Sequence, residues 1–362
     1  MAGFLQRLLT RSGILPALRS QWRSDQSSTI DKLETRFEKR LASLQKQTDR
    51  IEALTRQLQR LDEALTGSVE RVASLDRDIR LLRTTMARDI ADRRARPHGP
   101  DVFDADRVGA HVARAIAAAP VLTDPSVHIV ITNLVPPDTY AAVLDGIPPR
   151  VFFPPRDDTK QNLRLAQMDI APAWTLQTLD FVENVLIPKM MVPALLRTLE
   201  PHIREFYARE YGPERGPALA AIPHEATSGR LMLRRPGYHL DPHLDPKRVV
   251  FTCLLYFARA GDSEAFGTSF YRMHGTPKID RTTTFYPETQ GVRCELVKTV
   301  PFKANSAVAF LNWGGAHGAD IPRSEPRETE RYSYQFYVSP EPAAFATAVG
   351  EAESAIADRL RA

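Results

Sequence analysis

The stretch GYHLDPHLDPKRVVFTCLLYF, residues 237–257, joins a polar run rich in histidine and aspartate to an apolar run of strand-forming residues. Its polar part holds His239, Asp241, His243 and Asp245, all at odd positions. Because side chains of an extended strand alternate between two faces, these four would share one face. A His-x-Asp pair on a strand presents an imidazole nitrogen and a carboxylate oxygen to a single cation. The run is therefore a candidate metal site.

A distant histidine and a basic residue extend this pattern. His317 follows an apolar strand and a glycine-rich turn in AVAFLNWGGAHGAD, residues 307–320. A second imidazole would complete the two-histidine, one-carboxylate set of non-haem Fe(II) oxygenases, which leaves open positions on the metal. Arg331 and Ser333 lie in RYSYQFY, residues 331–337, and would point to the same side of an extended strand. A guanidinium and a hydroxyl on one face can bind a carboxylate.

Together, these segments resemble the Fe(II)- and 2-oxoglutarate-dependent oxygenases of the prolyl-4-hydroxylase-like group. That family's pattern is a strand with His-x-Asp, an apolar strand ending in Leu-Tyr, a distal His, and a basic residue with a Ser beyond it. The resemblance covers roughly residues 126–340. It implies an α+β fold whose core is a double-stranded β-helix (jelly-roll, cupin-like) with flanking helices, here preceded by a long coiled-coil helix.

The resemblance also implies roles for individual residues. The iron ligands would be His243, Asp245 and His317. The 2-oxoglutarate site would use Arg331 on the distal carboxylate, with help from Ser333 and Tyr256. Four further residues are expected behind the ligands or facing the substrate: His239, Asp241, Asn312 and Thr268.

Two overlapping pairs compete for the His-x-Asp role, His239–Asp241 and His243–Asp245. Strand alternation cannot distinguish the two pairs, because all four residues have odd numbers and would share one face. The family places an apolar strand just after the motif and often a proline beside the ligand histidine. A proline directly precedes His243 and an apolar run follows Asp245, so the resemblance favours the second pair.

The implied activity is a 2-oxoglutarate-dependent dioxygenase that uses Fe(II) and O2. It would hydroxylate an unactivated C–H bond of a peptide, a sugar or a small metabolite, with release of succinate and CO2. Two alternatives stay open. One is a coiled-coil scaffold or binding protein that carries an inactive β-helix domain. The other is a metal-dependent cupin enzyme that does not use 2-oxoglutarate.

The N-terminal hundred residues show a helical pattern instead. No proline occurs between Pro16 and Pro97, and apolar residues from Ile30 to Ile90 recur at steps of three or four, apart from one gap of seven. A seam this narrow cannot cover itself and must pair with another helix. The pattern predicts a coiled coil over residues 28–95 and hence a homo-oligomer. The alternative is a helix folded back onto the catalytic domain.

The charges are distributed unevenly between the two parts of the chain. Residues 1–100 carry 20 Lys+Arg against 13 Asp+Glu, and the remainder carries 28 against 31. The basic character therefore lies in the N-terminal arm, where it leaves peripheral membrane contact open, while nucleic acid is not expected. Five segments are expected: a basic amphipathic segment (1–27), the coiled coil (28–95), a linker and short helix (96–125), the oxygenase domain (126–342) and a C-terminal helix (343–362).

Composition limits the class of protein. Hydrophobic residues make up 43% and charged residues 25% of the 362, which suits a sizeable buried core rather than a disordered chain. Two cysteines indicate no disulfide framework. Arg7 and Arg11 interrupt the first apolar stretch, whereas a signal peptide carries its charges before that stretch. We therefore expect a cytoplasmic protein.

Overall fold

The computed structural model describes residues 14–94, 98–154, 157–168, 170–275 and 283–349. The chain divides into two compact units, up to residue 79 and from residue 80 onward. Helix α1 (Ile14–Arg94) confirms the predicted long helix and begins earlier than the expected start at residue 28. Residues 1–13 of the expected basic segment and residues 350–362 of the expected C-terminal helix lie outside the described residues.

The apolar seam of α1 faces solvent in the single chain. Its side chains from Leu41 to Ile90 are 48–66% exposed. The helix has no proline in this range, and its short polar side chains, such as Thr48 and Thr55, hydrogen-bond to carbonyls one turn back. Among the described helices, none has both the length and the hydrophobicity to cross a membrane. Pairing of the seam with a second helix remains a prediction.

Two antiparallel sheets form the centre of the second unit. The strands are β1 (Val121–Leu122), β2 (His128–Thr132), β3 (Lys160–Leu163), β4 (His224–Arg234), β5 (His239–His243), β6 (Phe251–Tyr256), β7 (Thr268–His274), β8 (Arg293–Val300), β9 (Ser306–Leu311), β10 (Ala316–Asp320) and β11 (Arg331–Pro340). The larger sheet has the order β1-β2-β9-β6-β11-β4-β3, and the smaller sheet has the order β5-β10-β7-β8.

The order of the strands identifies the fold. From β4 to β11 the chain winds between the sheets, with β4, β6, β9 and β11 in the larger sheet and β5, β7, β8 and β10 in the smaller. Eight antiparallel strands that wind in this way form a jelly roll, or double-stranded β-helix. The predicted core is therefore confirmed.

Helices cover the outer face of the larger sheet. They are α2 (Ala105–Ala118), α3 (Pro137–Asp145), α4 (Ala173–Phe181), a π-helical segment (Val182–Met191), α5 (Val192–Tyr211), α6 (Gly216–Ala221) and α7 (Pro342–Val349). The helical stretch from Ala173 to Tyr211 widens into a π-helix around Pro188, which has no N–H to donate to the helical ladder. In α2, Val108, Val112 and Ile116 recur every four residues and are buried in the same core as the sheet.

The larger sheet is buried on both faces. One core lies between the helices and its outer face, and a second core, including Met232, Leu254 and Phe310, lines its inner face. Every residue of β6 and β9 is consequently buried. The polar groups that line a cavity lie on β3, β4 and β11 of this sheet and on β5 and β10 of the smaller sheet.

Candidate metal centre and its cavity

Three buried side chains meet in the second unit. His243 ends β5, Asp245 follows two residues later, and His317 lies on β10 directly opposite His243. Their exposed fractions are 5%, 2% and 6%, and one potential ligand atom from each lies within 4.8 Å of the others. The structure therefore brings together the three residues predicted as iron ligands.

Hydrogen bonds orient the imidazole rings. Nδ1 of His243 lies 2.9 Å from the carbonyl oxygen of Asp241 and donates to it, so its Nε2 is the free nitrogen. This Nε2 lies 4.0 Å from Oδ1 of Asp245, and Nε2 of His317 lies 3.6 Å from Oδ2 of the same carboxylate. Both ring nitrogens thus face a single carboxylate, as a shared cation would require.

Protonation states at the centre also suit a cation. Burial by itself would raise the pKa of Asp245, but the neighbouring charges of His317 and His243 and two side-chain hydrogen bonds together lower it. Burial, and then the charge of His243, lower the pKa of His317 to about 3, although the Asp245 carboxylate opposes this shift. An ionised carboxylate and a neutral imidazole are the forms that bind divalent metals.

Other side chains hold the carboxylate of Asp245 in place. Thr252 donates to its Oδ2 at 2.6 Å, and the Tyr337 hydroxyl donates to its Oδ1 at 3.2 Å. Asn312 acts on the main chain instead: its Oδ1 accepts from the Asp245 N–H, and its Nδ2 donates to the carbonyls of Asp245 and Pro246. Asn312, expected behind the ligands, therefore fixes the backbone that carries one of them.

The competing pair does not reach the centre. His239 and Asp241 have exposed side chains, and His239 is paired with Asp241 and with Asp320, each at 2.9 Å. These carboxylates, Asp320 first, raise the pKa of His239. The expectation of one shared face was wrong because the β5–β10 register shifts between the pairs His317–His243 and Ala319–Leu240, which inserts an extra residue into β5.

The ligands border a cavity of about 210 Å³. Arg331 also lines it, is 3% exposed, and has two guanidinium nitrogens, Nε and Nη2, without a hydrogen-bond partner among the described residues. Ser333 is fully buried on the same strand, and its hydroxyl also lacks a hydrogen-bond partner among the described residues. Since buried donors are normally satisfied, the free nitrogens of Arg331 fit an anionic ligand in this cavity.

The remaining predicted cofactor residues lie beside this cavity. Thr268 lines it, and its hydroxyl is 2.6 Å from the hydroxyl of Tyr256, whose ring lies 5.4 Å from the Arg331 guanidinium carbon. Among the described residues, neither Tyr256 nor Ser333 belongs to the cavity wall itself. Two imidazoles, one carboxylate and a buried guanidinium with two unpartnered nitrogens in one space fit Fe(II) with a chelating dicarboxylate.

Several cavity residues were missed in the sequence. Lys160 on β3 and Arg230 and Arg234 on β4 line the cavity together with Tyr337. A signal existed in GRLMLRR, residues 229–235, because Arg230 and Arg234 alternate with leucines. Strand alternation does place those arginines on one face, but only the folded sheet shows that this face borders the cavity.

Comparisons with known proteins give distant likenesses. No protein-family model matches the chain, and no curated protein matches it in sequence. Similar solved structures include a prolyl 4-hydroxylase from Phytophthora capsici, at 15% identity over 67% of this chain and 67% of that chain, with a TM-score of 0.36. A Pseudomonas putida prolyl-4-hydroxylase has 15% identity over 64% of this chain and 99% of that one, with a TM-score of 0.32. An oxidoreductase of the 2OG-Fe(II) oxygenase family from Burkholderia pseudomallei has 11% identity over 64% of this chain and 89% of that one, with a TM-score of 0.33. At these TM-scores the likenesses carry no functional argument of their own.

Proposed function

We propose that this chain is an Fe(II)- and 2-oxoglutarate-dependent dioxygenase that hydroxylates an unactivated C–H bond. One observation carries the proposal: the buried ligand set and the buried Arg331 guanidinium, with two nitrogens that lack a partner among the described residues, border the same cavity. A metal-dependent cupin that does not use 2-oxoglutarate gives no reason for two unpartnered nitrogens on a buried arginine. An inactive β-helix domain gives no reason for a complete ligand set.

Each residue has a defined task in this proposal. His243, Asp245 and His317 would hold the iron and leave positions open for other ligands. When bound, iron, 2-oxoglutarate and O2 supply the oxidising chemistry, with release of succinate and CO2. Arg331 would bind the distal carboxylate of 2-oxoglutarate, and its burial strengthens this ion pair because little water screens it.

Aromatic groups restrict the motion of the ligand rings. The Phe310 ring centroid lies 4.4 Å from that of His317, and the Tyr286 ring centroid lies 5.6 Å from that of His243. The His243 ring is also held by its hydrogen bond to the Asp241 carbonyl, so both imidazoles are constrained by neighbouring groups. Such preorganisation of ligands supports tight metal binding.

The proposal is tested by anaerobic titration of the full-length protein with Fe(II) and 2-oxoglutarate. We expect a charge-transfer absorption band and, after O2 is admitted, uncoupled release of succinate. Both signals should be lost in His243→Ala and Asp245→Ala. Full retention of succinate release in both variants would contradict the site, and unchanged 2-oxoglutarate affinity in Arg331→Ala would contradict the cofactor.

We also propose that the protein is a homo-oligomer formed through α1. The exposed seam from Leu41 to Ile90 supports this, because a chain of large apolar side chains along one helix is stabilised by burial against a second copy. A cytoplasmic location and peripheral membrane contact by residues 1–27 remain predictions.

A further inference from the structure

Basic side chains dominate the charge of the cavity. Lys160, Arg230, Arg234 and Arg331 line it, whereas Asp245 is the only carboxylate among the lining residues that the structure describes. Three of these guanidinium groups carry buried nitrogens without a partner: Nε of Arg230, Nε of Arg234, and Nε and Nη2 of Arg331. Buried cations without acceptors are costly, so the cavity is built to receive negative charge.

The proposed function determines how much negative charge the cavity must receive, and the present inference rests on that function. Iron would add two positive charges, of which Asp245 cancels one. The two carboxylates of 2-oxoglutarate would cancel two more. With four basic side chains in the lining, a net excess of three positive charges would remain after iron and 2-oxoglutarate have bound. The co-substrate alone is therefore not enough to neutralise the cavity.

Arg234 belongs with the distal end of the co-substrate. It lies directly opposite Arg331 on the neighbouring strand and is 2% exposed. Its acceptors are neutral, the carbonyl of Gln161 at 2.7 Å and the Oδ1 of Asn162 at 2.9 Å, and burial lowers its pKa. A carboxylate bound at Arg331 would offset the repulsion between these two guanidinium groups.

Arg230 is placed differently, near the metal ligands. It donates to the Gln335 amide oxygen and, at 3.3 Å, to the Tyr337 hydroxyl, which itself donates to Asp245. The Tyr337 hydroxyl therefore links Arg230 to the metal ligand Asp245. The hydrogen-bond partners of Arg230 itself are neutral. Lys160, exposed on β3, lines the same cavity but lies opposite Arg234 rather than Arg230.

We propose that the substrate carries an anionic group, a carboxylate or a phosphate, close to its reacting carbon, and that Arg230 binds this group. The guanidinium would satisfy its free Nε–H on the anion, and the anion would hold the substrate beside the iron. Neutral sugars and aliphatic peptide side chains would leave the buried Nε–H of Arg230 without an acceptor, so they would bind poorly.

The test uses inorganic sulfate as the anion. Full-length protein loaded with Mn(II) and saturated with 2-oxoglutarate is titrated with sulfate by calorimetry, and Mn(II) occupancy of every variant is checked by electron paramagnetic resonance. We expect one sulfate site in the wild type and binding weaker by roughly tenfold or more in Arg230→Gln. Arg230→Lys should restore part of the affinity. Arg204→Gln, at an exposed arginine of α5, is the matched control and should bind sulfate as the wild type does.

Absence of sulfate binding, or equal binding by the wild type and Arg230→Gln, would overturn the anion site. Failure of the wild type to bind Mn(II) and 2-oxoglutarate would overturn the proposed function instead. In that case, titration of the metal-free protein with sulfate still decides the anion site, because the Arg230 effect does not require the metal.

Discussion

His243 and His317 lie directly opposite each other on β5 and β10, with ring centroids 4.1 Å apart. Main-chain pairing of two strands therefore sets the distance between the two imidazole ligands. Asp245, just beyond the end of β5, completes the set from the same segment. The ligand positions depend on the sheet rather than on a long loop, so single substitutions should remove one ligand without displacing the others.

Metal binding should distinguish the two overlapping His-x-Asp pairs. We expect His243→Ala, Asp245→Ala and His317→Ala each to weaken Mn(II) binding by more than about 100-fold, since even residues that only orient ligands contribute 10–100-fold. His239→Ala is the control and should bind Mn(II) normally, because its exposed ring contacts only Asp241 and Asp320. Normal binding in His243→Ala with loss in His239→Ala would reverse the choice of pair.

Asn312→Ala should weaken the site without touching a ligand atom. Its side chain makes hydrogen bonds to the main chain at Asp245, Pro246 and Val249, and the variant would leave those buried groups unpaired. We expect Mn(II) affinity to fall by roughly 10-fold or more and the free energy of unfolding to fall by about 1–3 kcal/mol. Equal stability and metal affinity in wild type and variant would show that this bracing is unimportant.

Arg331 should determine 2-oxoglutarate affinity. Arg331→Gln loses a charge-assisted, two-pronged interaction, so we expect the Kd for 2-oxoglutarate to rise by roughly 100-fold in Mn(II)-loaded protein, measured by calorimetry. Arg331→Lys retains the charge but not the fork geometry and should show an intermediate Kd. A Kd in Arg331→Gln within twofold of the wild-type value would count against this role.

The pH dependence of stability should contain a contribution from His128. This ring is fully buried, donates from Nδ1 to the Ser126 carbonyl at 2.7 Å, and lies 3.0 Å from the Lys298 amine at Nε2. Burial, then the Lys298 charge, lowers its pKa below 6.5. Because the unfolded chain binds this proton more readily, stability should be lost as pH falls below about 6.5. Urea unfolding between pH 5 and 8 should show a shallower slope for His128→Gln, and equal slopes would contradict the assignment.

The oligomer should depend on the apolar seam of α1. Leu58 and Leu65 lie seven residues apart on it and are 66% and 64% exposed in the single chain. Charged residues at such positions are costly in a coiled coil, so Leu58→Asp with Leu65→Asp should dissociate the protein into monomers in analytical ultracentrifugation. Gln57→Asp, at an exposed polar position of the same helix, is the control and should retain the assembly. A monomeric wild type would contradict the oligomer.

The ligand set could be predicted from sequence because the family pattern gives an ordered series of residue types in strand contexts. His243, Asp245 and His317 meet as expected, and Arg331 borders the same cavity. Strand alternation alone predicted the wrong face for the His239 side chain, because the extra residue in β5 arises from its pairing with β10. A register shift depends on contacts between distant segments, so the pattern within one strand does not contain it.

The basic side of the cavity was harder to predict for a related reason. In GRLMLRR the leucines are buried against the helices, and on the other face Met232 and Arg234 are buried while Arg230 is partly buried. Usually the polar face of a strand meets solvent, so Arg230 and Arg234 would ordinarily be assigned to the surface. Only the assembled jelly roll shows that this polar face lines a cavity instead.

The concentration of guanidinium groups in the cavity also affects how fast ligands arrive. A recess lined by one sign of charge, with low-dielectric walls, focuses its electric field outward and draws oppositely charged ions toward its mouth. Dianionic 2-oxoglutarate should therefore encounter the protein faster than a neutral molecule of the same size. Its association rate should fall steeply with ionic strength, because salt screens the approach more than it screens the buried contact with Arg331. Ionic strength would thus control the rate of capture while leaving the rate of release nearly constant.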